Sequence, residues 1–297
     1  ALLNQKCNVY GLDTISAGSA IAFAMECFEK GLLTEKEIGF RLEWGDAAAM
    51  VRLLDLIARR EGVGDLLADG AKRAAAKIGR GAAELAVEVK GLEFGMHEAR
   101  GKKGLALSYA TAPRGADHME GFHDPMIAVP DAWPELGVVQ AMDRFTLADK
   151  PRAVRLAEDY TSFINSLPIC SFMCLTVAGL HNTEEISGML AAATGWKDIT
   201  LEEEMAIGER AYNLARAFTV RESDGAADDR LPPKLSRSLQ GGASKGQVIT
   251  EKDLKVALQE YYRVRGWSEN GTPTEAKLKE LGLEDVVPQL ARKGGGR

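Results

Sequence analysis

The chain has 297 residues, 45% of them hydrophobic, with 37 Lys and Arg against 43 Asp and Glu and a formal net charge of -6. That balance excludes nucleic acid and anionic membrane as main partners, since both call for a concentrated basic face, and clusters such as Arg59-Arg60 and Lys102-Lys103 are too short to supply one. The apolar stretch Ile21 to Phe28 is interrupted by Glu26 and falls far short of the roughly 20 residues a bilayer span takes, so a soluble protein is expected.

A Gly-Leu-Asp turn at residues 11–13 runs into a first amphipathic helix, with Ser16 read as its N-cap, Ile21, Ala24, Met25 and Phe28 at helical spacing, and Gly31 as the stop. Thr34 and Glu37 form a capping-box pattern. Asp46 opens a second long helix with an apolar face of Met50, Leu53, Leu54 and Ile57, ending at Arg59-Arg60. A third helix is expected from about Asp65 to Ile78, stopped by Gly79.

Residues 85–94 contain the clearest alternating pattern, Ala86-Val87-Glu88-Val89-Lys90, and predict one short strand or extended link. From Gly95 to Pro134 the chain is rich in Gly, His, Pro and charge, so it reads as loop with one short helix near Leu105 to Thr111. A long irregular stretch inside a compact domain is usually functional or mobile.

Helix resumes after Pro151, a good first-turn residue, with Val154, Ala157, Phe163 and Ile164 on or near one face until a second loop, Asn165 to Cys170. Asn182 starts a further helix over Ile186, Met189, Leu190 and Ala193, closed by Gly195. The capping-box pair Thr200 and Glu203 leads a long helix carrying Met205, Ala211, Leu214 and Phe218. Residues 223–246 read as surface loop, Glu251 to Arg265 as a last long helix with Leu254, Leu258, Tyr261 and Tyr262, and 292–297 as a frayed basic tail. The fold class is mainly α, with two helical domains, 1–150 and 151–297.

Four cysteines, Cys7, Cys27, Cys170 and Cys174, are too few for a disulfide framework in a chain this long and point to a reducing, cytoplasmic compartment. Cys7, Cys27 and Cys174 read as core thiols. His97 and His181 carry no motif, and His123 lies near enough to His118 in sequence to share its surroundings.

In this setting the chain resembles the tungsten-dependent aldehyde ferredoxin oxidoreductases. The resemblance rests on phrases in the same order, among them Tyr10-Gly11-Leu12-Asp13-Thr14-Ile15-Ser16, Glu61-Gly62-Val63-Gly64-Asp65-Leu66-Leu67, Arg114-Gly115-Ala116-Asp117-His118, Asp229-Arg230-Leu231-Pro232 and Tyr261-Tyr262 with Arg265-Gly266-Trp267. It covers the two helical domains that follow an N-terminal β-rich domain in that family. The start at Ala1, without an initiator methionine, fits a piece of a longer gene product, inactive alone.

The resemblance implies a tungsten (or molybdenum) bis-pterin and a [4Fe-4S] cluster. Family loops of the pattern Asp-x-x-Gly-Leu-Asp and Asp-x-x-Gly-Leu-Cys hold the pterins. They correspond to Asn8, Gly11, Leu12 and Asp13 in the first loop and to Asn165, Ile169 and Cys170 in the second, with Pro168 in place of the glycine. Asn at the head of both loops keeps an acceptor, adds donors and removes charge. Cys170 falls on the cysteine that completes the cluster, and His118 on a histidine that handles a proton near the metal.

The implied activity is oxidation of aldehydes to carboxylates with ferredoxin, or another electron-transfer protein, as acceptor. An aryl-CoA reductase of the benzoyl-CoA type, acting on an acyl-CoA, is the alternative within the family, with Phe122, Met126 and Trp133 as apolar pocket members. A non-catalytic helical interaction domain is the alternative outside it. Some members bridge two subunits through an iron held in part by a histidine of the second helix. Asp46 to Arg60 contains no histidine, so any homodimer forms without that iron.

Overall fold

The computed structural model describes residues 1–174, 183–197, 199–223 and 225–290, with the side chains of Met173 and Cys174 left aside. The Cys174 side chain, His181, Asn182 and the tail 292–297 therefore lie outside the described residues. What is described is mainly α, with one short hairpin, and none of its helices is long and apolar enough to cross a membrane. The chain divides into two compact units, Ala1–His97 with Arg114–Asp117 and Arg230–Arg237, and Glu98–Pro113 with His118–Asp229 and Ser238–Arg297.

In the first unit, α1 (Leu2–Tyr10) is followed after three residues by α2 (Thr14–Glu29). The cap of α2 is Asp13, whose carboxylate accepts the Ser16 N–H at 2.6 Å, so Ser16 is a first-turn residue and not the N-cap. The capping box of Thr34 and Glu37 forms as expected and starts the single turn α3 (Glu35–Ile38). Asp46 caps α4 (Ala47–Arg59), which buries Leu53, Leu54 and Ile57. The next stretch is two helices rather than one, α5 (Val63–Leu67) and α6 (Ala71–Ile78). The break is at Gly70, with φ 87°, where the Glu93 carboxylate accepts the Ala71 N–H at 2.7 Å.

Ile21, Met25 and Cys27 of α2, Leu53 and Leu54 of α4 and Ala74 of α6 belong to one apolar core, the dominant favourable contribution to this unit. The alternating stretch forms a hairpin of β1 (Glu88–Val89) and β2 (Leu92–Glu93), with Val89 opposite Leu92. Residues 230–237, distant in sequence from the rest of this unit, belong to it. Arg230 pairs with Glu88 at 3.0 Å, Lys234 with Glu26 at 2.5 Å and Arg237 with Glu84 at 2.8 Å, and Leu235 is buried.

The second unit contains α7 (Lys103–Thr111), α8 (Lys150–Asn165), α9 (Ser171–Cys174), α10 (Thr183–Thr194), α11 (Leu201–Glu222), α12 (Glu251–Arg265), α13 (Glu275–Glu280) and α14 (Val287–Leu290). The Thr200–Glu203 capping box starts α11 as expected. Leu214 and Phe218, however, are on its exposed side, at 47% and 59%. Its buried side carries Glu204, Glu209, Tyr212, Asn213 and Arg216.

These polar groups are tolerated because each has partners. Arg216 donates to both Asp229 oxygens at 2.8 and 2.6 Å, and the Tyr262 hydroxyl donates to Asp229 at 2.7 Å. The Trp267 indole N–H donates to Asn213 at 2.7 Å, and Ser187 donates to Glu204 at 2.7 Å. Arg265 of α12 pairs with Glu158 at 2.6 Å and with Asp159, while Tyr261 donates to Glu158 at 2.5 Å.

Candidate functional site

The first loop of interest is the α1–α2 turn. Gly11 ends α1 in the left-handed region, φ 70° and ψ 31°, a conformation glycine adopts without steric cost. The Leu12 N–H reaches back to the Cys7 carbonyl at 2.8 Å, closing the helix. Leu12 packs against the core of its unit, whereas Asn8, Gly11 and Asp13 are exposed. A Cβ built at Gly11 would meet nothing within 4 Å. Asp13 spends one carboxylate oxygen on the Ser16 N–H and is itself exposed.

The second loop has the same format, helix end, turn and helix start, but different closure. Pro168 has no N–H and cannot take the conformation of Gly11. Instead α8 ends in two successive tight bonds, Ser166 N–H to the Phe163 carbonyl at 2.9 Å and Leu167 N–H to the Ile164 carbonyl at 3.0 Å. Asn165 and Cys170 are exposed and Ile169 is 38% exposed, with Cys170 immediately before α9.

His118 follows Arg114-Gly115-Ala116-Asp117. Gly115 is required there: its φ is 114°, and a Cβ would lie 2.3 Å from the Val89 carbonyl oxygen. Arg114 and Asp117 form an ion pair across the turn. Beyond His118, residues 121–124 are fastened to α7. Asp124, fully buried, accepts the N–H groups of Gly104 at 2.8 Å and Leu105 at 3.0 Å, and a Cβ at Gly121 would approach Ser108 Oγ at 2.9 Å. His118 and His123 meet edge to face, with ring centres 6.2 Å apart and planes at 77°. Lys102 Nζ lies 3.0 Å from His123 Nδ1.

The sequence did not point to Lys102 or Asp124. Lys102 bears no local signal, since only the fold brings it to residue 123; Asp124, ahead of Pro125, offered at most a turn cue. Phe122 and Trp133 are buried side chains, Phe122 closing on Gly104 and Trp133 edge-on to Tyr160 at 5.4 Å.

Domains 2 and 3 of aldehyde ferredoxin oxidoreductase match residues 1–283. The chain belongs to the aldehyde ferredoxin oxidoreductase family. Within it, the chain is 38% identical over 290 residues to the tungsten-containing aldehyde ferredoxin oxidoreductase of Pyrococcus furiosus, covering 95% of this chain and 45% of that protein. It is 31% identical to the WOR-like subunit of an aliphatic sulfonate oxidoreductase from the same organism, covering 95% of this chain and 42% of that one. Among solved structures, the active-site complex BamBC of benzoyl coenzyme A reductase, in complex with 1,5-dienoyl-CoA, matches with a TM-score of 0.74 and 25% identity, over 98% of this chain and 47% of that chain. The chain thus spans less than half the length of these curated relatives.

The residues of this aldehyde ferredoxin oxidoreductase family member fit a pterin at each turn. Each turn presents an exposed carboxamide, Asn8 or Asn165, able to donate and to accept, and the first adds a carboxylate beside open space at Gly11. They fit an iron–sulfur cluster in part. Cys170 offers one exposed sulfur where a [4Fe-4S] cluster takes four ligands. Among the described residues no group of three or more His, Cys, Asp and Glu converges as a metal site. Cys7 and Cys27 are buried, and burial pushes the Cys27 thiol up to about 11, so neither has the character of a ligand.

Proposed function

We propose that the protein is a cytoplasmic oxidoreductase that oxidises aldehydes to carboxylates and passes the electrons to ferredoxin or a similar carrier. The observation that carries this reading is the pair of turns of one format, each exposing an asparagine and then, at the start of the next helix, Asp13 or Cys170. The chemistry supplied by a bound tungsten (or molybdenum) bis-pterin is two-electron redox at a carbonyl carbon, and that of a [4Fe-4S] cluster is single-electron transfer.

The residues of the chain bind and manage protons. Asn8 and Asp13 hold one pterin, and Asn165 with the backbone around Ile169 holds the other. Gly11 and Leu12 fix the shape of the first turn, and Cys170 contributes one cluster ligand. Aldehyde and water give a carboxylic acid, two protons and two electrons; His118, half-buried on its loop, takes up a proton released at the carbonyl carbon.

A second reading, an aryl-CoA reductase, is favoured by the TM-score of 0.74 to a chain solved with 1,5-dienoyl-CoA. Metal analysis and assay of the complete gene product test both. The first reading expects tungsten or molybdenum with about four irons per chain and aldehyde-dependent dye reduction. Turnover of an aryl-CoA or dienoyl-CoA without aldehyde activity selects the second. A folded, metal-free protein overturns both.

A further inference from the structure

Beside His118 the second unit brings Lys102 and His123 together. Lys102 stands at the head of α7, with its carbonyl accepting the Ala106 N–H at 3.0 Å, and its ammonium reaches His123 Nδ1 at 3.0 Å. An ammonium has three donors and no acceptor. Nδ1 of His123 must therefore present its lone pair, which leaves the ring proton of the neutral imidazole on Nε2.

The backbone under His123 is fixed independently. Its neighbour Asp124 is tied to the Gly104 and Leu105 N–H groups, and Phe122 closes on Gly104, where a Cβ would lie 2.9 Å from the ring. A ring held at Nδ1 and at its backbone has little freedom, and it is this ring that meets His118 in an edge-to-face pair with centres 6.2 Å apart, within the usual range for such pairs.

We propose that Lys102 is a positioning residue for His118, acting through His123: Lys102 sets the tautomer and orientation of the His123 ring, and that ring braces the His118 ring. This rests on the reading of His118 as the proton-handling residue.

Burial lowers the Lys102 pKa, with Asp124 opposing the shift and Arg144 adding to it. Lys150 acts electrostatically on Asp124, and Glu120 shares the loop with both histidines. An ordinary lysine holds its proton about four pH units more tightly than an ordinary histidine, and the proposal places the shared proton on Lys102 on that ordering.

The test is histidine nitrogen NMR on the chain, which has 4 histidines, assigned with His118→Gln and His123→Gln. The expected wild-type spectrum has His123 protonated at Nε2 with an unprotonated Nδ1. In Lys102→Met the loss of a neighbouring cation raises the His123 titration midpoint by about one pH unit and mixes its tautomers. Protonation of Nδ1 in the wild type overturns the proposal without any variant. So does an unchanged His123 titration in a Lys102→Met protein of normal helix content. In the complete enzyme, Lys102→Met is expected to displace the acidic limb of the kcat/KM profile. Absence of activity toward aldehydes and acyl-CoA would refute the proposed function, whereas the contact between Lys102 and His123 stands or falls on the NMR titration alone.

Discussion

Gly208 of α11 rests directly on the backbone of α8: a Cβ at 208 would lie 1.8 Å from the Asp159 carbonyl oxygen. Backbone cannot yield as a flexible side chain does, so Gly208→Ala forces α8 and α11 apart. The expected cost is about 1–3 kcal/mol or more, as for other overpacked cores. Gly188 of α10 is the control, since nothing lies within 4 Å of its Cβ position. Gly188→Ala should stabilise by about 0.5–1 kcal/mol through helix propensity. Urea midpoints moving in opposite directions check the pair.

Arg265 holds two buried carboxylates at once, Glu158 at 2.6 Å and Asp159. Burial pushes both carboxyls up, and the Arg265 guanidinium is the largest opposing influence on each. Arg265→Met removes that influence, with an expected loss of about 3–5 kcal/mol near neutral pH. The sign of the pH dependence follows from the protons bound. In the variant the folded carboxyls bind protons more tightly than the unfolded chain, so stability is fully present below the ordinary carboxylate range and is lost as pH rises through the raised folded values. Denaturation of the variant at pH 5 and pH 8 should therefore show the larger deficit at pH 8.

Asp13 serves the fold as well as the proposed cofactor. As the N-cap of α2 it accepts the Ser16 N–H, and Asp13→Ala should cost about 1 kcal/mol. Serine also caps, so Asp13→Ser should leave the unfolding midpoint nearly unchanged. In the complete protein both variants should lower tungsten or molybdenum content. Full metal content in Asp13→Ser would reduce this residue to a cap.

The described cysteines separate by exposure. Cys170 is exposed, while Cys7 and Cys27 are buried with their thiols pushed up by burial. Since the thiolate is the reactive form, Ellman's reagent should modify Cys170 first and the other two only on unfolding. Cys170→Ser removes one thiol from the fast phase. In the complete protein it should also cut the iron content from about four per chain without changing helix content. Retained iron would sink the ligand role.

Several element boundaries were legible in the sequence because their signals are local. Asp46, the Thr34–Glu37 and Thr200–Glu203 boxes and the Glu251–Arg265 helix depend on hydrogen bonds three or four residues long. The match of residues 1–283 to the family was legible for another reason, since ordered phrases survive in the chain itself. The tertiary structure alone decided which side of α11 is buried. Glu204, Tyr212 and Arg216 become interior residues, Tyr212 meeting Tyr261, Arg216 bonding to Asp229 and the Gly271 carbonyl, and Ser187 bonding to Glu204, while the apolar Leu214 and Phe218 face outward. It alone split α5 from α6, through the Glu93 carboxylate at Ala71. It alone brought Lys102 to His123. Pairings between residues so far apart in the chain leave no period in the local sequence, because their free energy comes from neighbours that only folding supplies.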